Sequence, residues 1–228
     1  MNKKIYSIVS ADLEKHCENI PMWGARMNYE DNALVPLSQM KHIYTMDKLE
    51  EVMNRNGVPE EKKDFCRRRW FHAWTSWIDE YLFYRIPSVR KNPDEHSPDW
   101  DIEFKNGEQY DIKSTKVLAR ITRSHDIDWI LNNPEKIIDS LSANASTTRK
   151  NTQDRLYILY YSERGIDQKR IDVMSCKWHI KEYVFKRLAD RIDNVEVFNA
   201  NGHNTVLCYI IENSDGTYDY MFYDRDDM

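Results

Sequence analysis

The run Ser-Pro-Asp-Trp-Asp-Ile-Glu-Phe-Lys-Asn-Gly-Glu-Gln-Tyr-Asp-Ile-Lys-Ser-Thr, residues 97–115, decides how this chain is read. It holds two strand-like segments, Asp99 to Phe104 and Glu108 to Thr115. On the first, Asp99, Asp101 and Glu103 alternate with Trp100, Ile102 and Phe104. On the second, Asp111, Lys113 and Thr115 alternate with Tyr110, Ile112 and Ser114. Side chains along a strand alternate between its two faces, so each strand has an apolar face and a face bearing acids. A two-residue Asn106-Gly107 loop sets Asp101 against Ile112 and mixes the faces. A three-residue loop, Lys105-Asn106-Gly107, pairs Phe104 with Glu108 and puts Gly107 in the left-handed position of a bulged turn. Trp100 then faces Ile112, Ile102 faces Tyr110, Asp101 faces Asp111 and Asp99 faces Lys113. A slip of one residue would bury the charges, so the apolar pattern selects this register.

That register sets carboxylates against each other, which is repulsive. A divalent cation among them removes the penalty, and hard oxygen donors suit Mg²⁺ or Mn²⁺. Lys113 would sit beside the metal, where an ammonium can hold a nucleophilic water or stabilise developing negative charge. Such a set is equipped to hydrolyse a phosphodiester.

Outward from the hairpin, Pro59 to about Arg85 reads as a long helix, with Pro59, Glu60 and Glu61 suited to its first turn. Trp70, Phe71, Trp74, Trp77, Ile78, Tyr81 and Leu82 form one apolar stripe at helical spacing, as expected of core. Asp79 points away from it, and Glu80 lies at its edge, about 60° beyond Trp77. Residues 1–58 read as one helix, Met46 to Asn56, within otherwise irregular chain. Arg90 to Ser97 reads as a loop. Asp126 to Ala145 reads as helix restarted near Pro134, with Ser124-His125-Asp126 as its N-cap. Arg155 to Ser162 reads as a buried strand, Arg170 to Met174 as another, and Trp178 to Ile192 as an amphipathic helix. Val195 to Asn199, Thr205 to Ile211 and Tyr218 to Tyr223 read as further strands, with Asp215-Gly216 as a hairpin turn. This order predicts an α/β fold, a central mixed sheet flanked by helices.

Pro98-Asp99 followed by Asp111-Ile112-Lys113 on the next strand, behind a helix carrying Glu80, resembles the PD-(D/E)xK nuclease superfamily, which includes many restriction endonucleases. The resemblance spans about 100 residues and implies a restriction-endonuclease-like core of helix, three-stranded meander, helix and strand. It implies a Mg²⁺-dependent endonuclease in which Glu80, Asp99 and Asp111 hold a Mg²⁺ (or Mn²⁺) ion and Lys113 positions water. Asp99 and Asp101 compete for one ligand place: the family pattern favours Asp99, and the register puts Asp101 opposite Asp111. The implied partner is a nucleic acid, most readily DNA. Many relatives cut as dimers, so a homodimer is compatible with the resemblance, although no interface is legible. Two other readings are a catalytically weak nucleic-acid-binding or assembly module with this fold, and a metal-dependent phosphoesterase acting on a small substrate.

Composition sets the bounds. The chain has 228 residues, 41% of them hydrophobic and 31% charged, with 6 Gly and 7 Pro, which excludes fibrous and disordered classes. The expected division is an accessory region, 1–58, and a nuclease-like domain, 59–228, ending in an acidic segment, 212–228. That segment carries the whole net charge of −5, since its acids Glu212, Asp215, Asp219, Asp224, Asp226 and Asp227 meet one base, Arg225. The remainder is neutral but locally basic at Arg67–Arg69, Arg90-Lys91, Lys113 to Arg123 and Arg149-Lys150. Cys17, Cys66, Cys176 and Cys208 lack zinc-site spacing and read as buried thiols. No apolar run reaches the length of a membrane span and no leader is evident, so a soluble cytoplasmic protein is expected.

Overall fold

The computed structural model describes residues 1–22, 29–94, 99–144, 153–165 and 167–225. The helices are α1 (Lys3–His16), α2 (Leu37–Met40), α3 (Met46–Arg55), α4 (Glu60–Tyr84), α5 (Ala119–Thr122), α6 (Ile127–Leu131), α7 (Pro134–Asn144), α8 (Gln168–Ser175) and α9 (Trp178–Arg191). The strands are β1 (Val89–Lys91), β2 (Ile102–Phe104), β3 (Gln109–Lys116), β4 (Arg155–Ser162), β5 (Phe198–Ala200), β6 (His203–Glu212) and β7 (Tyr218–Phe222). Among the described residues no helix is long and apolar enough to cross a membrane.

Two compact units emerge, and their boundary falls inside α4 rather than at the expected 58/59. The first holds residues 1–78 together with 167–178. Its interior is organised by the side chains of α4. Arg68 is fully buried and its Nη1 donates to both Asp172 oxygens, at 2.8 and 2.7 Å, while Nε donates to the Pro21 carbonyl at 2.7 Å. The indoles of Trp70 and Trp74 both donate to the Ile43 carbonyl at 2.8 Å. Arg67 pairs with Glu50 and Asp64, and Arg69 donates to the carbonyls of Asn32 and Val35. The Arg67–Arg69 cluster is therefore internal bonding rather than a polyanion surface, and Arg149-Lys150 lies outside the described residues.

Two expectations fail in this unit. Residues 3–16 are helical, not irregular: Asn2 caps them by accepting from the Ile5 amide at 3.0 Å, and Val9 and Leu13, four apart, are buried. Residues 170–174 are helical, not a strand. Asp167 accepts from the Arg170 amide at 3.0 Å, which fixes the helix start, and Ile171, Met174 and Ser175 are buried at helical spacing. α3 and α4 form where the sequence places them.

The second unit, residues 79–166 and 179–228, carries the sheet. Among the described residues it has seven strands, ordered β1-β2-β3-β4-β6-β5, with β7 also on β6. β1, β2 and β3 form an antiparallel meander; β4 runs parallel to β3, and β6 parallel to β4. Parallel neighbours need a crossover, supplied by α5–α7 after β3 and by α9 before β6. One face of the sheet carries Tyr157, Leu159, Leu207, Tyr209 and Ile211, packed with Ile130, Ile137 and Ile138 of the α5–α7 segment. On the other face Phe83 of α4 stacks on Phe185 of α9, with ring centroids 4.1 Å apart, and meets Phe104 edge-on. The fold is thus α/β, a mixed sheet flanked by helices, as expected.

From the turn back to Ile102 the hairpin register is the predicted one; the expected pairs of residues 99–101 do not form. Ile102 pairs with Tyr110, the Phe104 amide donates to Glu108 at 2.9 Å, and Gly107 has φ +86°, which an L side chain rarely adopts. The flanks differ. Val89–Lys91 is a strand where a loop was expected, and β2 begins only at Ile102, leaving Asp99 in an exposed bend. Just before β2, the Asp101 carbonyl accepts from the Asn92 amide at 3.1 Å and the Trp100 carbonyl from the Asn92 side chain at 2.7 Å. β5 likewise starts at Phe198, not Val195, which makes only an isolated bridge to Asp224.

The acidic C-terminal segment is largely tied into the unit. Glu212 is buried and accepts from Ser162 at 2.6 Å, Asp224 is buried against Arg191, and Asp215 accepts from the Thr217 amide. The four cysteines are buried and none is in a disulfide.

Candidate functional site

β3 displays opposite chemistries on its two faces. On the face shared with Tyr157, its first half presents Asp111 and Lys113; β2 pairing ends at Ile102, beyond which the Asp101 amide donates to the Tyr110 carbonyl at 2.9 Å and its carboxyl lies beside Asp111. Lys113 Nζ donates to Asp111 Oδ1 at 2.7 Å. The parallel pairing of β3 with β4 brings Arg155 beside Asp111, with Nε 3.7 Å from Oδ2. Asp101 Oδ2 accepts from the Ile112 amide at 2.8 Å. Asp111 and Arg155 are buried, whereas the Lys113 side chain is 39% exposed.

The acids are under electrostatic load. Burial raises the Asp101 carboxyl to about 6, against the Ile112 amide, with the Asp111 charge adding to the rise. Burial raises Glu80 to about 8, with Asp101 the strongest charge pushing the same way and Lys91 and Lys113 opposing it. The sequence candidates Glu80, Asp111 and Lys113 therefore share one neighbourhood with Asp101. Asp99 is exposed in its bend, and the charges that dominate Glu80 and Asp101 are others. Pro98 lies outside the described residues.

The opposite face holds a second acid, to which the sequence reading gave no role. Asp79 is fully buried and paired with Lys181 of α9, which is itself fully buried. Ser114 Oγ donates to Asp79 Oδ2 at 2.5 Å. Burial drives Asp79 upward against the Lys181 charge; burial lowers Lys181, but Asp79 and Tyr160 outweigh it and leave Lys181 above its ordinary value. A helical wheel with one apolar stripe cannot find this, because α4 is enclosed on more than one side at Asp79. Arg155 was also missed. Its only signal is a charged residue opening an otherwise apolar strand.

A divalent cation can be tested against these donors. Asp111 Oδ2 is buried and accepts no hydrogen bond, and Arg155 Nε lies 3.7 Å from it. Asp101 and Asp111 together offer hard carboxylate oxygens, with Glu80 alongside. Among the described residues no group of three or more His, Cys, Asp and Glu side chains is arranged to hold a metal, so the expected enclosure by Glu80, Asp99 and Asp111 is not assembled. A carboxylate pair suffices for Mg²⁺, which keeps several waters and is commonly completed by substrate phosphates.

No family model matches the chain, and no curated protein and no solved structure matches it.

Proposed function

We propose that the chain is a metal-dependent nuclease hydrolysing phosphodiester bonds, with DNA as its substrate, and that Asp111, Lys113, Asp101 and Glu80 form its active site. One observation carries the reading: at the open end of a β-hairpin the Asp101 and Asp111 carboxylates lie beside each other, with an ammonium 2.7 Å from Asp111 on the next same-face position. The order of α4, the β1–β3 meander, the α5–α7 segment and a β4 parallel to β3 supports a restriction-endonuclease-like core.

Asp101, in place of the expected Asp99, and Asp111 would hold a Mg²⁺ or Mn²⁺ ion, with Glu80 beside them. Such an ion supplies charge neutralisation at the attacked phosphate and acidifies water. Lys113 orients the attacking water and stabilises negative charge gathering on the phosphoryl oxygens. The water oxygen bonds to phosphorus in line with the departing ester oxygen, whose bond to phosphorus breaks. In the metal-free protein burial raises Glu80 and Asp101, and a cation between them would favour their ionised forms.

The test is cleavage of supercoiled plasmid and of single-stranded DNA with Mg²⁺, with Mn²⁺ and with EDTA. Cleavage that needs the cation and disappears in a folded Asp111→Ala protein is expected. Equal cleavage by wild type and Asp111→Ala removes the mechanism. One observation favours the second reading, a nucleic-acid-binding module: Asp111 is already neutralised by Lys113 and Arg155. Metal-independent DNA binding without cleavage, weakening steeply with salt, would be its signature.

A further inference from the structure

Asp111 meets two cations of different kinds. Lys113 is a half-exposed ammonium on a flexible stem, free to swing toward a substrate. Arg155 has little such freedom. Its side chain is 8% exposed, its Nη1 donates to Tyr157 Oη at 3.0 Å, and Tyr157 is itself fixed in the core beneath α5–α7. A guanidinium cannot be deprotonated in a protein, and a buried charge is little screened.

We propose that Arg155 is the fixed counter-charge of the site, a positioning residue that holds Asp111 and sets how tightly the free protein takes a divalent cation. The inference rests on the nuclease reading. A cation reaching Asp111 displaces Lys113, which can leave, but still faces the guanidinium lying 3.7 Å from Oδ2. Two like charges this close oppose each other, so the cation binds weakly until a phosphate brings compensating negative charge. Arg155 thereby couples cation and phosphodiester: each raises the affinity of the other, by the same factor. The carboxylates alone would take up the cation irrespective of substrate.

The test is calorimetric titration with Mn²⁺ of wild type, Arg155→Gln, Arg155→Lys and Asp111→Asn, with and without a single-stranded phosphorothioate oligonucleotide. Arg155→Gln removes the charge and is expected to bind Mn²⁺ at least about tenfold more tightly than wild type without oligonucleotide, about 1.4 kcal/mol. The gain on adding oligonucleotide should shrink in that variant. Arg155→Lys keeps the charge and should stay near wild type, a distinction that a purely structural role does not produce. Tyr157→Phe, which loosens the guanidinium, should move Mn²⁺ affinity the same way by a smaller factor, and it carries the test if Arg155→Gln does not fold. Unchanged or weaker Mn²⁺ binding by the folded neutral variant, with binding still lost in Asp111→Asn, overturns the role of Arg155 alone. No Mn²⁺ uptake by any of the proteins, with or without oligonucleotide, overturns the metal reading and this inference with it.

Discussion

Asp79 and Asp111 each pair with a lysine, on opposite faces of the same strand, yet the two settings differ in every other respect. Asp79 and Lys181 are fully buried, and Ser114 supplies a further hydrogen bond to the carboxylate. Asp111 has a half-exposed lysine, an arginine whose Nε lies 3.7 Å from Oδ2, and a second carboxylate beside it. The first arrangement encloses both of its charges completely. The second exposes its ammonium and keeps two further carboxyls beside the ion pair, Glu80 and Asp101, raised by burial to about 8 and 6. A sealed pair locks the helix to the strand, and a strained, open cluster is where chemistry is expected.

The contrast breaks most readily at Lys181. Lys181→Met leaves Asp79 buried without its cation and should cost about 3–5 kcal/mol in urea unfolding. A loss below about 1 kcal/mol would mean that the pair is not sealed. Lys113→Ala should do the reverse, changing stability by less than about 1 kcal/mol because the ammonium is part-exposed, while cutting Mg²⁺-dependent cleavage by about 100-fold or more. A variant that unfolds instead would place Lys113 with the structural pair. Ser114→Ala removes one hydrogen bond to a buried carboxylate and should cost about 1.5–3 kcal/mol in the same unfolding experiment, leaving cleavage unaltered.

The smallest effect concerns pH. Glu80 is raised to about 8 from 4.5 and Asp101 to about 6 from 3.8, so the folded protein keeps protons that the unfolded chain has released. Their contribution to stability therefore falls as pH rises from about 4 to 8 in EDTA. Glu80→Gln should lack the upper part of that fall, so that it gains on wild type by about 1 kcal/mol or more between pH 6 and 8, read from unfolding midpoints. Parallel pH profiles for the two proteins would show Glu80 to be ordinarily solvated.

The hairpin was legible because two local signals agree: strict alternation on both strands, and a Gly at the one position where the turn needs positive φ. Asp111 and Lys113 followed from that alternation, and Glu80 from its place at the edge of the Trp stripe. Other features depend on distant chain. Asp101 beside Asp111 follows from the alternation, but that β2 begins only at Ile102 and leaves Asp99 in an exposed bend is not written there. Arg155 becomes a neighbour of Asp111 only through a parallel crossover pairing. Asp79 is legible only once Lys181 is known to lie across from it. The helix at 168–175 was missed because Ile171, Val173 and Met174 imitate a short strand, and Asp167 as an N-cap is the signal that separates the two.

The most direct measurement is the position of Mn²⁺ by anomalous scattering in crystals of the wild-type protein soaked with the ion and an uncleavable oligonucleotide. The account predicts a peak bridging Asp101 and Asp111, with Glu80 beside it and the Lys113 ammonium turned toward the phosphate. A peak on Asp99 away from Asp111, or ordered oligonucleotide with no metal at this pair, would contradict it.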